Sequence, residues 1–562
     1  MLIKAIVRDE AGCPIPCRLA LYHPEGGEPV AEADCLGEHL FALPQGSYRL
    51  EARRGKLWQP VGTLLSPGGS SALAELTMKR LFDPADWGFW SFDGHSHVSR
   101  DANKIDPSLA DAALRMRCED FNLFFAGSPW DADVHFQYLQ QHFTDDVPYR
   151  QKYAPLIEAT KAPDFLLDIG NELVKGRYGH LFLMNFEEQA PYSRYYDKDF
   201  DDWLWEKPGD PPHYVIAYPY EAIAQQRGEN SVAVAAHPTS WWWHGNGQFI
   251  PNIAATIGFD VLAGAVDALV IMGYQAERPG YQALWFDLLN NGYFLPGIAE
   301  TDVVFDRVPV KHLQFKTYAL AEELTPDALC RAVKAGRCIA TSGPLLRMTV
   351  DGAPMSSVLP HKPGQRFALR GEAVACCDGP LREVQIIVNG EVVARYAVQG
   401  ERCVIEHELT VDGDSFVLVK LTDEAGNVAL TNPVYLRNAP FVNMDYQAQV
   451  HMDTQGVGRY RLDDGPWQAF DGSFMLRMPP AATLQMEADC FEGAIKLFEL
   501  PALQEIFRNL YLGHFNADKS YEPGEVPAAA FAVRQIRELL DDVHLSVCGG
   551  AVMMTPKESS KA

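Results

Sequence analysis

"SVAVAAHP", residues 231–238, decides how the middle of this 562-residue chain is read. Five small apolar residues follow one another without polar alternation, the pattern of a strand buried on both faces, and His237 and Pro238 mark its end. Working outward, the same pattern recurs in "FNLFFAG" (121–127), "DFLLDIG" (164–170), "HLFLMNF" (180–186), "DALVIMG" (267–273) and "FLPGIAET" (294–301). Helical stretches stand between these runs: "PSLADAALRMRCE" (107–119), "PYEAIAQQRGE" (219–229), "YQALWFDLLNNG" (281–292) and "TPDALCRAVKAGR" (325–337). Strand and helix in alternation over residues 86–345 predict an α/β fold, a βα barrel or a related layered sheet.

The flanks read differently. Residues 1–80 are short strands broken by Gly and Pro clusters, which predicts a β-sandwich. Residues 346–438 carry "REVQIIVNGEVVARYAV", "CVIEHELTV" and "SFVLVKLTDEAGNVALTNPVYL", a second sandwich with "VNGE" and "EAGN" as hairpin turns. Residues 439–562 are mixed α/β: "GRYRLDDGPWQAFDGSFMLRM" suits a hairpin and "AAFAVRQIRELLDDVH" an amphipathic helix. A chain of this length is expected to hold about three or four domains.

Bulk composition narrows the partners. The formal net charge is -26, and no run of Lys and Arg offers a footprint for phosphate backbones, so nucleic acid and anionic membrane surfaces are not expected partners. The first residues, "MLIKAIVRDEAG", do not read as a secretory signal, and no stretch of about 18 apolar residues occurs. The eleven cysteines are scattered without a C-x-x-C pair, which suits reduced thiols in a cytoplasm and does not suit a cysteine-built zinc site.

The polar residues at the ends of the apolar runs carry the functional reading. "FDGHSH" (92–97) sets His95 and His97 on alternate positions, where an extended chain projects both to one face, with Asp93 on the same side. "DFLLDIGNE" ends near Glu172, His180 opens "HLFLMNF", His237 ends its run and "YFLPGIAETD" ends at Asp302. Four histidines and two carboxylates at strand ends suit zinc, manganese or iron, and a shared carboxylate can bridge two ions about 3.5–4 Å apart. Taken singly each has a plainer reading: His237 as a capped strand end, Glu172 as an ion-pair partner of Lys175 or Arg177.

"DGHSH", "GNELVKGRYGH", "AAHP" and "ETD", in that order, resemble the PHP (polymerase and histidinol phosphatase) superfamily. The later "LWFDLLNNGYFLPGIAETD" and "LCRAVKAGRCIATSGPLL", followed by strands, resemble its CehA/McbA-type branch, named for carbaryl and related carbamate hydrolases. The resemblance spans residues 86–438, and the leading segment is similar to carboxypeptidase-regulatory-like modules. It implies a PHP-like distorted (βα)7 barrel flanked by β-sandwich domains. It also implies roles: His95, His97, Glu172 and Asp302 would hold one metal, and Glu172, His180 and His237 a second, with Glu172 bridging. A bound hydroxide would attack the substrate while the metals stabilise the oxyanion. Many members of that superfamily hold a third metal. Its ligand positions here fall near Asn103, in "AGSPWD" (126–131) and at Val304 in "TDVV", so a two-metal centre is implied; the alternative is a third metal with Asp131 as a substitute ligand.

Around these residues, "HPTSWWWHGNGQF" follows His237 directly. Trp241, Trp242 and Trp243 would give an aromatic wall to the opening, or pack on neighbouring loops, and His244 is a candidate proton donor to a leaving group. Arg100, Tyr274 and Arg307 could fix an anionic or carbonyl group of a substrate. Residues 190–214 form an aromatic and acidic insertion suited to a lid or a subunit contact.

The expectation is a metal-dependent hydrolase with a dinuclear centre, cleaving an ester, amide or carbamate bond in a small, aromatic-leaning molecule, in a cytoplasmic protein compatible with a homo-oligomer. The alternatives are a phosphoesterase for mono- or diesters, a metal-dependent lyase, and a non-catalytic binding protein whose sandwiches hold a carbohydrate or another protein.

Overall fold

A computed structural model of the chain describes residues 1–66, 69–98, 105–127, 149–174, 180–187, 223, 227–244, 248–253, 256–273, 279–305, 313–489, 491–514, 533–548 and 551–554. The apolar runs of the middle segment all become strands: Leu123–Gly127, Leu166–Val174, His180–Met184, Val232–Ala236, Ala268–Met272 and Gly297–Ala299. Three of the four expected helices form, as Ile105–Cys118, Pro279–Asn290 and Pro326–Lys334. Most of the fourth, "PYEAIAQQRGE", lies outside the described residues. The helix Pro326–Lys334 shows why its boundaries were readable. Thr325 caps it by accepting from the Ala328 N–H, and Pro326 stands at its first turn, where a missing N–H is harmless.

The α/β expectation and the (βα)7 barrel do not hold. Of the described residues, 48% lie in strands and 17% in helices. The middle strands do join a closed array, but its neighbours mix directions. Phe89–Asp93, Leu123–Gly127 and Leu166–Val174 run parallel. His180–Met184 then returns antiparallel to Leu166–Val174 and pairs antiparallel with Val232–Ala236 on its other side. Val232–Ala236, Ala268–Met272 and Gly297–Ala299 are parallel again. Lys316–Leu320 lies antiparallel against Phe89–Asp93 and Cys338–Thr341. Thr317 Oγ1 ties this strand to Gly297–Ala299 through the Ala299 N–H and C=O, at 2.9 and 2.8 Å.

The physical reason for the misreading is that a continuous apolar run reports burial on both faces and says nothing of direction. A parallel pair needs a long crossover, normally a helix, whereas an antiparallel pair can be joined by a short loop. Leu166–Val174 and His180–Met184 are joined by only five residues, 175–179.

The flanking segments are all strands or nearly so. In residues 1–80, a three-stranded sheet (Glu38–Ala42, Leu2–Arg8, Ser71–Thr77) and a four-stranded one share a core of Ile3, Val7, Leu19, Leu21, Leu50 and Trp58. In residues 346–438, the sheet built on Leu345–Val350, Gln365–Val374 and Arg402–Val411 faces strands that are continuous with the closed array, because Val428–Thr431 pairs with Cys338–Thr341. The expected "VNGE" turn joins Leu381–Val388 to Glu391–Ala397 with Asn389 and Gly390 both at positive φ (52° and 86°), as a two-residue hairpin requires. In the last segment two four-stranded sheets accompany the helices Pro501–His514 and Val533–Leu540.

One side chain shows how a helix is fastened under the array. Trp285, on Pro279–Asn290, is fully buried, and its indole N–H donates to Leu295 O at 2.7 Å, just before the strand Gly297–Ala299. Trp285→Ala therefore leaves a cavity and an unpaired carbonyl. It should lower the stability to urea by about 3–5 kcal/mol. A loss below about 1 kcal/mol would show that the helix is not fastened through this residue.

Candidate metal centre

The six residues singled out by their strand-end positions come together. The strand Phe89–Asp93 breaks at Gly94, and the short strand Ser96–His97 pairs in parallel with Val303–Val304. The backbone is laced across this seam: the Asp302 N–H donates to His95 O at 2.8 Å and the Phe305 N–H to His97 O at 3.1 Å. Gly127 faces His97 from the neighbouring strand, and a side chain there would collide with Ser96 O, so only glycine permits the approach. On the other side, His180 is in register with Val174 and with Ala236, which places it beside Glu172 and next to His237.

Glu172 is the hub. Its Oε1 lies 2.7 Å from His180 Nδ1, 3.2 Å from His237 Nε2 and 3.4 Å from His95 Nε2, while Oε2 lies 3.2 Å from His97 Nε2. Asp302 Oδ1 is 3.5 Å from both His95 Nε2 and His97 Nε2, and Oδ2 is 3.7 Å from His237 Nε2. His95, His97, Glu172, His237 and Asp302 are all buried, and His180 is nearly so. The backbone is strained at two of them: His237 has φ 27° and Asp302 φ 48°. A non-glycine residue held there costs about 1–3 kcal/mol, which the surrounding hydrogen bonds offset.

Charge follows from this crowding. Burial pushes Glu172 and Asp302 up, but the histidines outweigh it. His180 and His95 hold Glu172 well below the usual carboxylate range, and His95 and His97 bring Asp302 below it as well. The converse holds for the rings. Burial pulls His95 down, and Glu300, Glu172 and Asp302 more than reverse it; His97 and His237 are also raised.

Two further carboxylates support the cluster. Glu300, fully buried, accepts at Oε2 from His95 Nδ1 at 2.8 Å and at Oε1 from the His237 N–H at 3.1 Å. This is the carboxylate–imidazole pairing that fixes which ring nitrogen is left to face a metal. The residue was overlooked, although it stands directly after the strand Gly297–Ala299 and two positions before Asp302. Asp93 does not join the histidines as its alternation with them suggested. The strand break at Gly94 turns it to accept from the His95 N–H and from Thr301, at 3.2 and 2.5 Å. Burial raises its carboxyl to about 7, partly offset by Thr301.

The donors fit divalent transition metals. Two overlapping groups, His95–His97–Asp302 and His95–Glu172–His237, have ligand atoms within 4.8 Å of one another and can each hold an ion. Asp302 Oδ2 and His97 Nδ1 are buried without a hydrogen-bond partner. A buried orphan carboxylate oxygen is costly unless something fills its lone pairs.

The other expected site residues are not brought into this picture. Arg100, Asn103, Asp131, Tyr274 and Arg307, and residues 190–214, lie outside the described residues, as do the side chains of Trp241, Trp242, Trp243, His244 and Val304. The backbone of Thr239–His244 forms a hairpin with Gln248–Ile253 immediately after His237. Among the described residues no helix is long and apolar enough to cross a membrane.

No family model matches the chain and no curated protein matches it. Among solved structures, it is similar to a two-domain protein from Bacteroides vulgatus containing a predicted PHP-like metal-dependent phosphoesterase, at 12% identity over 62% of this chain and 96% of that one, with a TM-score of 0.32. It is similar to BcpA, the major pilin subunit of Bacillus cereus, at 8% identity over 27% of this chain and 61% of that one (TM-score 0.13). A beta-glucuronidase 2 of Bacteroides uniformis is similar at 10% identity over 86% and 76% (TM-score 0.18). These scores are too low to argue from, and the case for the site rests on its own geometry.

Because the surrounding carboxylates raise His95, His97 and His237, these rings hold protons to higher pH than free imidazoles do, and an arriving ion must displace them. Zinc affinity should therefore fall as pH is lowered, and calorimetry in buffers of differing ionisation enthalpy should register proton release on binding. An affinity unchanged between about pH 6 and 8 would contradict this protonation of the free cluster.

Proposed function

We propose that the chain is a metal-dependent hydrolase with a dinuclear centre of zinc, manganese or iron, cleaving an ester, amide or carbamate bond in a small, aromatic-bearing molecule. One observation carries it: four histidines and two carboxylates from five separate strands or strand ends converge, buried, on Glu172. A purely structural cluster gains little from so many buried ionisable groups, since desolvation consumes most of what pairing returns.

In this reading His95, His97, Glu172 and Asp302 would hold one ion and Glu172, His180 and His237 a second, with Glu172 shared between them. The ions, when bound, would supply Lewis-acid activation of water and of the oxygen of the bond to be cleaved. The protein's own part is positional. Glu300 keeps the proton on His95 Nδ1 and leaves Nε2 as the donor nitrogen. Asp302 Oδ2, buried without a hydrogen-bond partner, would accept a hydrogen bond from the attacking water. Phe182, whose ring lies 4.7 Å from that of His95, walls the cluster off from solvent on one side. The tryptophan hairpin after His237 would supply the aromatic contact, with His244 as proton donor to the leaving group. The motif resemblance to carbamate hydrolases favours acyl substrates over phosphoesters.

The test is turnover of p-nitrophenyl acetate, 1-naphthyl N-methylcarbamate, p-nitrophenyl phosphate and bis(p-nitrophenyl) phosphate with zinc or manganese supplied. The first two should be hydrolysed. Glu172→Ala should lower kcat/KM by about a thousandfold, or about 4 kcal/mol. Glu300→Gln should lower it by about 10–100-fold through metal affinity. Turnover of the phosphoesters alone would move the reading to a phosphoesterase. Tight metal binding without any hydrolysis would remove the hydrolase reading.

A further inference from the structure

A second cluster of metal-type side chains lies in the C-terminal segment, built from residues that no motif connects. The strands Ala448–Thr454 and Val543–Cys548 pair in parallel, with His451 directly opposite His544. Directly opposed residues on neighbouring strands share a face, and their rings stack here at 4.5 Å between centroids and 4° between planes. Asp542, one residue before the second strand, brings Oδ1 to 3.2 Å from His451 Nε2 and 3.0 Å from His544 Nε2. We infer that His451, Asp542 and His544 form a second, independent site for a divalent transition-metal ion of the zinc or copper class.

The chemistry and the spacing agree. Two imidazoles and one carboxylate are a donor set that suits zinc, copper or nickel. Ligands about 2.0–2.1 Å from a tetrahedral ion stand roughly 3.3–3.4 Å from one another, slightly wider than the two N···O separations here. The ligand atoms of all three lie within 4.8 Å of one another. The three side chains are 34%, 28% and 42% exposed, so an ion can arrive from water and keep water at its remaining positions. Parallel rings do not aim their lone pairs at one point, and binding calls for a small tilt of one plane, which this exposure allows.

The support around the three is built. Gln449, two residues before His451 on the same face, sets its side-chain nitrogen 3.0 Å from His451 Nε2, a contact that an arriving ion must displace. The turn bearing Asp542 is pinned by Tyr446, whose hydroxyl donates to Asp541 Oδ1 at 2.6 Å, and by the Asp542 N–H bonded to Leu539 O at 3.3 Å. Bound there, an ion would cross-link two strands that lie about ninety residues apart in sequence, and would tie the helix Val533–Leu540 to the sheet behind it.

The test uses the full chain with zinc as the probe, in a His95→Ala/Glu172→Ala background that takes a ligand from both donor groups of the other centre. That variant should still bind about one zinc ion, with a rise in the temperature of unfolding on zinc addition. Adding His544→Ala should abolish both, while the circular dichroism spectrum stays the same. Asp542→Asn, which keeps the side chain's shape, should weaken zinc binding at least tenfold and covers the case in which the histidine variant folds poorly. Copper(II) in the same background should give an electron paramagnetic resonance spectrum with nitrogen hyperfine coupling that His544→Ala reduces. Zinc binding and thermal shift unaltered by both His544→Ala and Asp542→Asn would overturn the inference. So would a His95→Ala/Glu172→Ala variant that binds no zinc at all.

Discussion

The buried carboxylate of Glu172 is the constraint on which the middle of the molecule depends. An ionised carboxylate removed from water is costly unless its oxygens are met by charge or hydrogen bonds. Here His180 and His237 meet one oxygen, with His95 close by, and His97 meets the other. Satisfying it demands that four strand ends stop at one place. The lacing of Asp302 to His95 and of Phe305 to His97 is the backbone's side of the same requirement. The positive φ values of His237 and Asp302 are its local cost. Glu300 extends the network outward by holding the far nitrogen of His95, so the cluster is braced from behind as well as from within.

This explains why a mixed strand array serves here as well as a regular barrel would. What the site needs is convergence of strand ends, and convergence does not depend on every neighbour running the same way. His180 stands at the start of its strand and Glu172 near the end of the preceding one. An antiparallel return brings the two together directly, with His180 at the loop edge and Glu172 two register positions further in. A helical crossover would have placed the start of the next strand at the opposite end of the sheet.

Much of this was legible in the sequence. The apolar runs marked the strands because burial on both faces leaves no room for polar alternation, and Thr325–Pro326 and Asn389–Gly390 marked a helix start and a hairpin turn by chemistry that is local. The six candidate ligands were legible because each stands at or near an end of an apolar run. Strand direction was not, since hydrophobicity carries no polarity along the chain; hence the α/β class was read where a β-rich one forms. Asp93 was misplaced because alternation assumes an unbroken strand, and the break at Gly94 reverses its side. The grouping of His451 with Asp542 and His544 could not be read at all, because pairing between strands ninety residues apart leaves no mark on either segment.

The most direct measurement is an anomalous difference map from crystals of the full chain grown with zinc, collected on both sides of the zinc absorption edge. The account predicts two adjacent peaks flanking the Glu172 carboxylate, one beside His95, His97 and Asp302 and the other beside His180 and His237. A map with no peak at Glu172, and the histidines instead paired to the carboxylates as in an ion-free salt-bridge cluster, would contradict it.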